Sequence, residues 1–159
     1  MSGGREYLCY TDGSCKAGEG SAGGWGFVIR APGAAPTEGY GSALDTLAKV
    51  MEVQAVAEAI AALPANAVAT VYSDNQPLVE SLTKHLGTWR ANGFSNVDPL
   101  IAAQVKRIAD GIDARGLSVR FQWVRAHNGN AGNERADELA RQGAREAKAQ
   151  ISGAGRARK

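Results

Sequence analysis

Two stretches of the chain carry a nearly unbroken apolar run that ends in one carboxylate. The first is Tyr7–Cys15 (Tyr-Leu-Cys-Tyr-Thr-Asp-Gly-Ser-Cys); the second is Val68–Asp74, followed by Asn75, Gln76 and Pro77. A run without a polar face is what a strand buried on both sides carries. The pattern predicts Asp12 at the exit of the first strand, with Gly13 turning the backbone there. If the two strands are parallel neighbours, Asp12 and Asp74 emerge side by side, at the edge where open α/β sheets place their ligands. Trp25–Arg30 and Thr37–Ser42 read as two further strands around a Pro32-Gly33 turn, so the chain opens with a three-strand meander. Leu117–Val124 alternates at Leu117, Val119, Phe121 and Trp123, which predicts a strand with one buried face and Trp123 in the core.

Helical periodicity fills the gaps between these strands. Leu44–Leu63 is Ala-rich and ends at Pro64, with apolar residues all round it, which predicts a deeply buried helix. Pro77 suits the first turn of a second helix, capped by Asp74 or Asn75 and running to about Leu86. Asp98-Pro99 opens a third, with a core stripe at Ile101, Val105, Ile108 and Ile112. The last helix, from Asn133, buries Ala136, Leu139, Ala140 and Ala144 and gathers Asn133, Glu134, Asp137 and Arg141 on another face. Right-handed crossovers through helices make the first, fourth and fifth strands parallel. The expected architecture is α/β: a five-stranded mixed sheet, three antiparallel strands then two parallel ones, flanked by helices.

Composition adds bounds rather than chemistry. A chain of 159 residues, 44% apolar and 21% charged, is of ordinary size and character for one globular domain, expected over 1–150. The net charge of +2 is too small to demand a nucleic-acid partner. Arg156, Arg158 and Lys159 follow Gly-rich sequence, so 151–159 is expected to be a flexible basic tail. Cys9 and Cys15 lack zinc or disulfide-framework spacing and read as small core residues of a reduced protein. No signal pattern precedes Tyr7, and the longest apolar region is broken by Glu58 and Pro64. The expectation is a cytoplasmic protein, monomeric, with no membrane contact. Gly18–Gly26 lacks the Gly-Lys-Ser/Thr of a phosphate loop and reads as a connection between strands.

Charge placement changes the picture. Two aspartates meeting at one sheet edge, without adjacent lysine or arginine, repel unless a cation lies between them. Glu52 sits inside a packed apolar helix, where a carboxylate is costly without a partner. Asp137 offers a fourth acid to the same centre. The stretch Lys84–Phe94 sets Trp89 and Phe94 among Lys84 and Arg90, which suits either stacking and phosphate contact or a helix packed on the core.

Tyr10-Thr-Asp-Gly-Ser-Cys15, Met51-Glu-Val53, Tyr72-Ser-Asp-Asn-Gln76, and Trp123-Val-Arg-Ala-His127 leading to Asn133-Glu-Arg-Ala-Asp-Glu-Leu-Ala140 together resemble the type 1 ribonuclease H family. The resemblance covers roughly Tyr7 to Ala147. It implies the ribonuclease H-like fold and an endonuclease that hydrolyses the RNA strand of RNA–DNA hybrids, leaving 5′-phosphate and 3′-hydroxyl ends. It implies that Asp12, Glu52, Asp74 and Asp137 hold magnesium, with manganese as the alternative, in a two-metal arrangement. His127 matches the family's loop histidine, which assists proton transfer or product departure, and Glu134 an acidic neighbour of the second metal. Trp89, Arg90 and Phe94 fall in the segment many bacterial members use as a substrate handle. Gly13, Ser14, Gln76 and Asn133 complete the implied substrate contacts, the first three at the 2′-hydroxyls that mark the RNA strand.

The chain departs from the family pattern in three places. Ala48 and Lys49 stand where Asn residues often precede the glutamate, Ala17–Gly20 replaces a Gly-Asn-Pro-Gly loop, and Ala126 replaces a glycine before the loop histidine. A non-catalytic hybrid-binding module on the same fold and a DNA nuclease of the wider superfamily are the competing readings. Retention of all four acids argues against the first, and the tight Asn133–Asp137 spacing against the second.

Overall fold

The computed structural model describes residues 6–16, 21–126 and 129–157, with 152–157 in backbone only. Five strands form one mixed sheet: β1 (Glu6–Cys15), β2 (Gly23–Arg30), β3 (Thr37–Ala43), β4 (Val68–Ser73) and β5 (Ser118–Trp123). Their spatial order is β3-β2-β1-β4-β5. β1 and β2, and β2 and β3, pair antiparallel, while β4 lies parallel to both β1 and β5. This is the expected ribonuclease H-like α/β architecture.

Four helices cover the sheet: α1 (Ala48–Ala62), α2 (Gln76–Ala91), α3 (Ala102–Ala114) and α4 (Ala131–Ala157). α1 packs on β1 and β2 and is backed by α3, and α2 lies over β5. Cys9, Phe27, Val56, Ile60, Val71, Val105 and Ile108 make the core on this side. Each fully buried aliphatic chain there contributes about 1.5–3 kcal/mol. α4 covers the opposite side, where Ala136 and Leu139 meet Tyr10 and Val28. Small residues let it come close: a Cβ on Gly24 would lie 2.2 Å from the Ala140 carbonyl oxygen.

Several boundaries differ from the sequence-based expectation. β1 does not end at Asp12; it continues to Cys15 by pairing with β2, and Gly13 sits opposite Trp25 in that ladder. α1 begins at Ala48, because Asp45 takes a positive φ of 53° and Leu47 is extended, leaving Leu44 and Leu47 exposed instead of buried. α2 runs on to Ala91 rather than stopping near Leu86. α3 starts after a turn in which Asp98 accepts the Leu100 amide hydrogen at 3.0 Å. Trp123 is 36% exposed, so it is a surface residue and not a core one; it ends a strand at the sheet edge. Cys9 is buried as expected, while Cys15 is half-buried with its thiol 3.5 Å from the Thr46 carbonyl oxygen. α4 continues past the expected domain boundary at 150 to Ala157. Among the described residues no helix is long and apolar enough to cross a membrane.

Candidate functional site

Strand register builds the site. Thr11 and Ser73 are the last partners between β1 and β4, so Asp12 and Asp74 follow them on neighbouring parallel strands. α1 approaches β1 at the same level. A Cβ on Gly13 would lie 2.4 Å from the Glu52 nitrogen and 2.6 Å from the Met51 carbonyl carbon, so only glycine admits the helix here. The residue read as a turn is therefore a contact point between strand and helix.

That approach delivers Glu52 to the aspartates. A carboxylate oxygen from each of Asp12, Glu52 and Asp74 lies within 4.8 Å of the other two. The Gly13 amide donates to Asp12 Oδ1 at 2.9 Å and to Glu52 Oε1 at 2.7 Å. Its N–H is thus held by carboxylates. The Asn75 side chain stands close enough to Glu52 to favour its charged form, and it caps α2 by accepting from the Leu78 amide at 3.1 Å. The Trp123 indole donates to the Asp74 carbonyl oxygen at 3.3 Å, fixing the backbone from which that carboxylate springs.

Crowding shows in the acid–base properties. Burial first, then the charge and hydrogen bond of Glu52 and the charge of Asp74, push the Asp12 carboxyl well above the usual range. Glu52 is also raised, chiefly by burial. Asp12 is 6% exposed, and Glu52 Oε2 is buried without a hydrogen-bond partner. An orphaned carboxylate oxygen in such a place is rare and costly. A hard divalent cation would satisfy it, and an all-carboxylate oxygen set is what magnesium or manganese takes. The donor set fits such an ion.

Other expected site residues are placed less centrally. Asp137 is outside the group that closes to 4.8 Å; it faces Arg141 Nε at 3.2 Å and shares a shallow surface cavity with Glu134, Glu138 and Arg141. Asn133 is 3% exposed, buried rather than on the charged face. Ser14 is half-buried and Gln76 is exposed at the start of α2. Trp89 and Phe94 pack against the core, and Arg90 is paired with Asp113. His127 lies outside the described residues. Asn75 and Trp123 are the positioning residues that sequence reasoning missed. In the sequence Asn75 reads as a helix cap and Trp123 as one position of an alternating strand, and both fall within the family motifs without a role of their own.

Comparison with known proteins agrees with this geometry. The family profile described as RNase H matches residues 4–145. The chain is 39% identical over 141 residues to a ribonuclease H of Cupriavidus necator, covering 87% of this chain and 95% of that one. Among solved structures it resembles LC9-RNase H1, a type 1 RNase H with the type 2 active-site motif, at a TM-score of 0.75 and 23% identity. That alignment covers 90% of this chain and 74% of the other. It also resembles LC11-RNase H1, solved in complex with an RNA/DNA hybrid, at a TM-score of 0.68 and 21% identity, over 89% and 98% of the two chains. A sequence match running almost end to end, on a fold of the same kind, leaves one assignment: the protein belongs to the ribonuclease H family.

Proposed function

We propose that the protein is an endonuclease that hydrolyses the RNA strand of RNA–DNA hybrids, leaving 5′-phosphate and 3′-hydroxyl ends. The observation that carries the reading is the buried, unpartnered Glu52 Oε2 inside a cluster of three carboxylates. Asp12, Glu52 and Asp74 would hold divalent metal, magnesium or manganese, with Asp137 reaching a second ion from α4. Bound there, such ions supply a nucleophile from water at neutral pH and neutralise charge on the phosphate. The chain's own part is to hold the acids in place before substrate arrives. Gly13 holds Glu52 through its amide, with Asn75 beside it, and Trp123 steadies Asp74. His127 is assigned proton transfer or product departure.

Substrate class rests on the same footing. The wide, shallow minor groove of a hybrid displays the 2′-hydroxyls of one strand only. Ser14 and Gln76 flank the carboxylates in sequence and are the groups offered to them, and Trp89 to the other strand. The hybrid bound by LC11-RNase H1 supports this choice. Labelled hybrid, duplex RNA and duplex DNA, incubated with magnesium and with magnesium plus chelator, test it. Cleavage confined to the RNA of the hybrid and abolished by chelator is expected. Binding without cleavage would make the protein a hybrid-binding module, and cleavage of duplex DNA would make it a different nuclease.

A further inference from the structure

Lys49 and Asp98 face each other across the mouth of a cleft of about 280 Å³ between α1, α2 and the segment before α3. Lys49 Nζ lies 2.7 Å from Asp98 Oδ2, with the two side chains 50% and 38% exposed. Below the pair the cleft is largely apolar, lined by Val53, Leu78 and Trp89. It is joined to the carboxylate cluster in two ways. Lys49 precedes Glu52 by three residues on α1, so both project from one side of the helix. Asn75, whose side chain stands beside Glu52, also lines the cleft.

We propose that Lys49 is a contact to the phosphate backbone of the bound hybrid, held in reserve by Asp98 in the free protein. The inference rests on the hybrid-nuclease reading for its ligand. An ion pair this exposed is weak and salt-screened, so a phosphate of the hybrid can displace Asp98 at little cost. Other cations of the region are paired in the same way, Arg90 with Asp113 and Arg107 with Glu58 at 3.1 Å. Lys49 is singled out by standing three residues before Glu52 and by lining the cleft together with its partner. Asp98 then acts as a competitive anion: it orients the ammonium and also lowers affinity until substrate replaces it.

Fluorescence anisotropy of a labelled RNA–DNA hybrid in chelator, as a function of salt, tests the proposal. The proteins compared are wild type, Lys49→Ala, Asp98→Asn and the double variant. Asn keeps the oxygen that accepts from Leu100, so the turn before α3 survives. Lys49→Ala should weaken binding about three- to tenfold and flatten the slope of log affinity against log salt by roughly 0.7–0.9, the loss of one phosphate contact. Asp98→Asn should tighten binding about two- to fivefold, a gain that vanishes when Lys49 is also removed. Unchanged affinity and slope in Lys49→Ala would overturn the proposal. So would an Asp98→Asn gain that persists without Lys49, or a wild type that does not bind hybrid. Cleavage of the same hybrid by wild type with magnesium is run beside it. No cleavage with the expected slopes would sink the nuclease reading alone, and cleavage with unchanged slopes would sink only the role of Lys49.

Discussion

The Gly13 amide lies 2.7 Å from Glu52 Oε1, and it is the tie that holds α1 against β1 at the carboxylate cluster. One backbone N–H, shared with Asp12 Oδ1, decides where two of the three acids stand.

Replacing Gly13 by Ala tests that tie. The new Cβ would meet backbone atoms of Met51 and Glu52, which have no rotamer with which to yield. Overpacking of this kind costs about 1–3 kcal/mol, and the displaced helix carries Glu52 away from the aspartates. Urea unfolding should show that loss, and hybrid cleavage should fall about a hundredfold or more. A variant of full stability and full rate would mean that the helix does not sit where it is described.

Asp12→Asn separates function from stability. Activity should fall roughly a thousandfold, since the charge that holds metal is worth several kcal/mol. Metal-free stability should move the other way. The folded protein keeps Asp12 protonated at a pH where the unfolded chain has released that proton, because its folded value is raised. The share of stability set by Asp12 is therefore fully present in acid and declines as pH rises from the ordinary carboxylate range through the raised value. The amide removes this decline. Urea melts in chelator at about pH 5 and pH 8 should show wild type losing stability with pH and Asp12→Asn losing less.

How far the sequence could be read follows from the same residues. The apolar runs ending at Asp12 and Asp74 announced two parallel strands, and the register places them side by side. Glu52 could be suspected because a carboxylate inside a packed helix demands a reason. Gly13 was misread because glycine signals both turns and close approach, and only the neighbouring helix tells which applies. Leu44 and Leu47 extend the apolar pattern of α1, yet the positive φ at Asp45 and the extended Leu47 exclude them from the helix. Trp123 matches the alternation of β5, but β5 is an edge strand and its last ring stays on the surface. Long-range packing, not local pattern, settles each of these.

Trp123→Phe keeps the ring and removes the donor to the Asp74 carbonyl. A neutral hydrogen bond contributes about 0.5–1.5 kcal/mol, so kcat should fall about three- to tenfold. KM should hold, because the indole is assigned to positioning and not to substrate. An effect on KM alone would place the ring in the substrate interface.

Arg115 stands at the far end of α1, where its guanidinium donates to the Ile60 and Leu63 carbonyl oxygens. The last carbonyls of a helix are short of partners (among the described residues Ile60 otherwise accepts only the Leu63 amide, at 3.2 Å), and a cation there also suits the helix dipole. Arg115→Ala should cost about 1.5–3 kcal/mol in urea unfolding while leaving KM for the hybrid unchanged. Unaltered stability would show that water replaces the guanidinium without loss.

Thermal unfolding across a magnesium titration tests the central claim, that Asp12, Glu52 and Asp74 form a divalent-metal site. A cation that binds only the folded state stabilises it by RT ln(1 + [L]/Kd), about 2.7 kcal/mol at a hundredfold excess over Kd, which is roughly 5–11 °C for a domain of this size. The expected result is a saturable rise in Tm for wild type that is absent when Asp12 and Glu52 are both made amides. A wild-type Tm indifferent to magnesium and manganese, or an equal rise in the doubly neutralised variant, would contradict it.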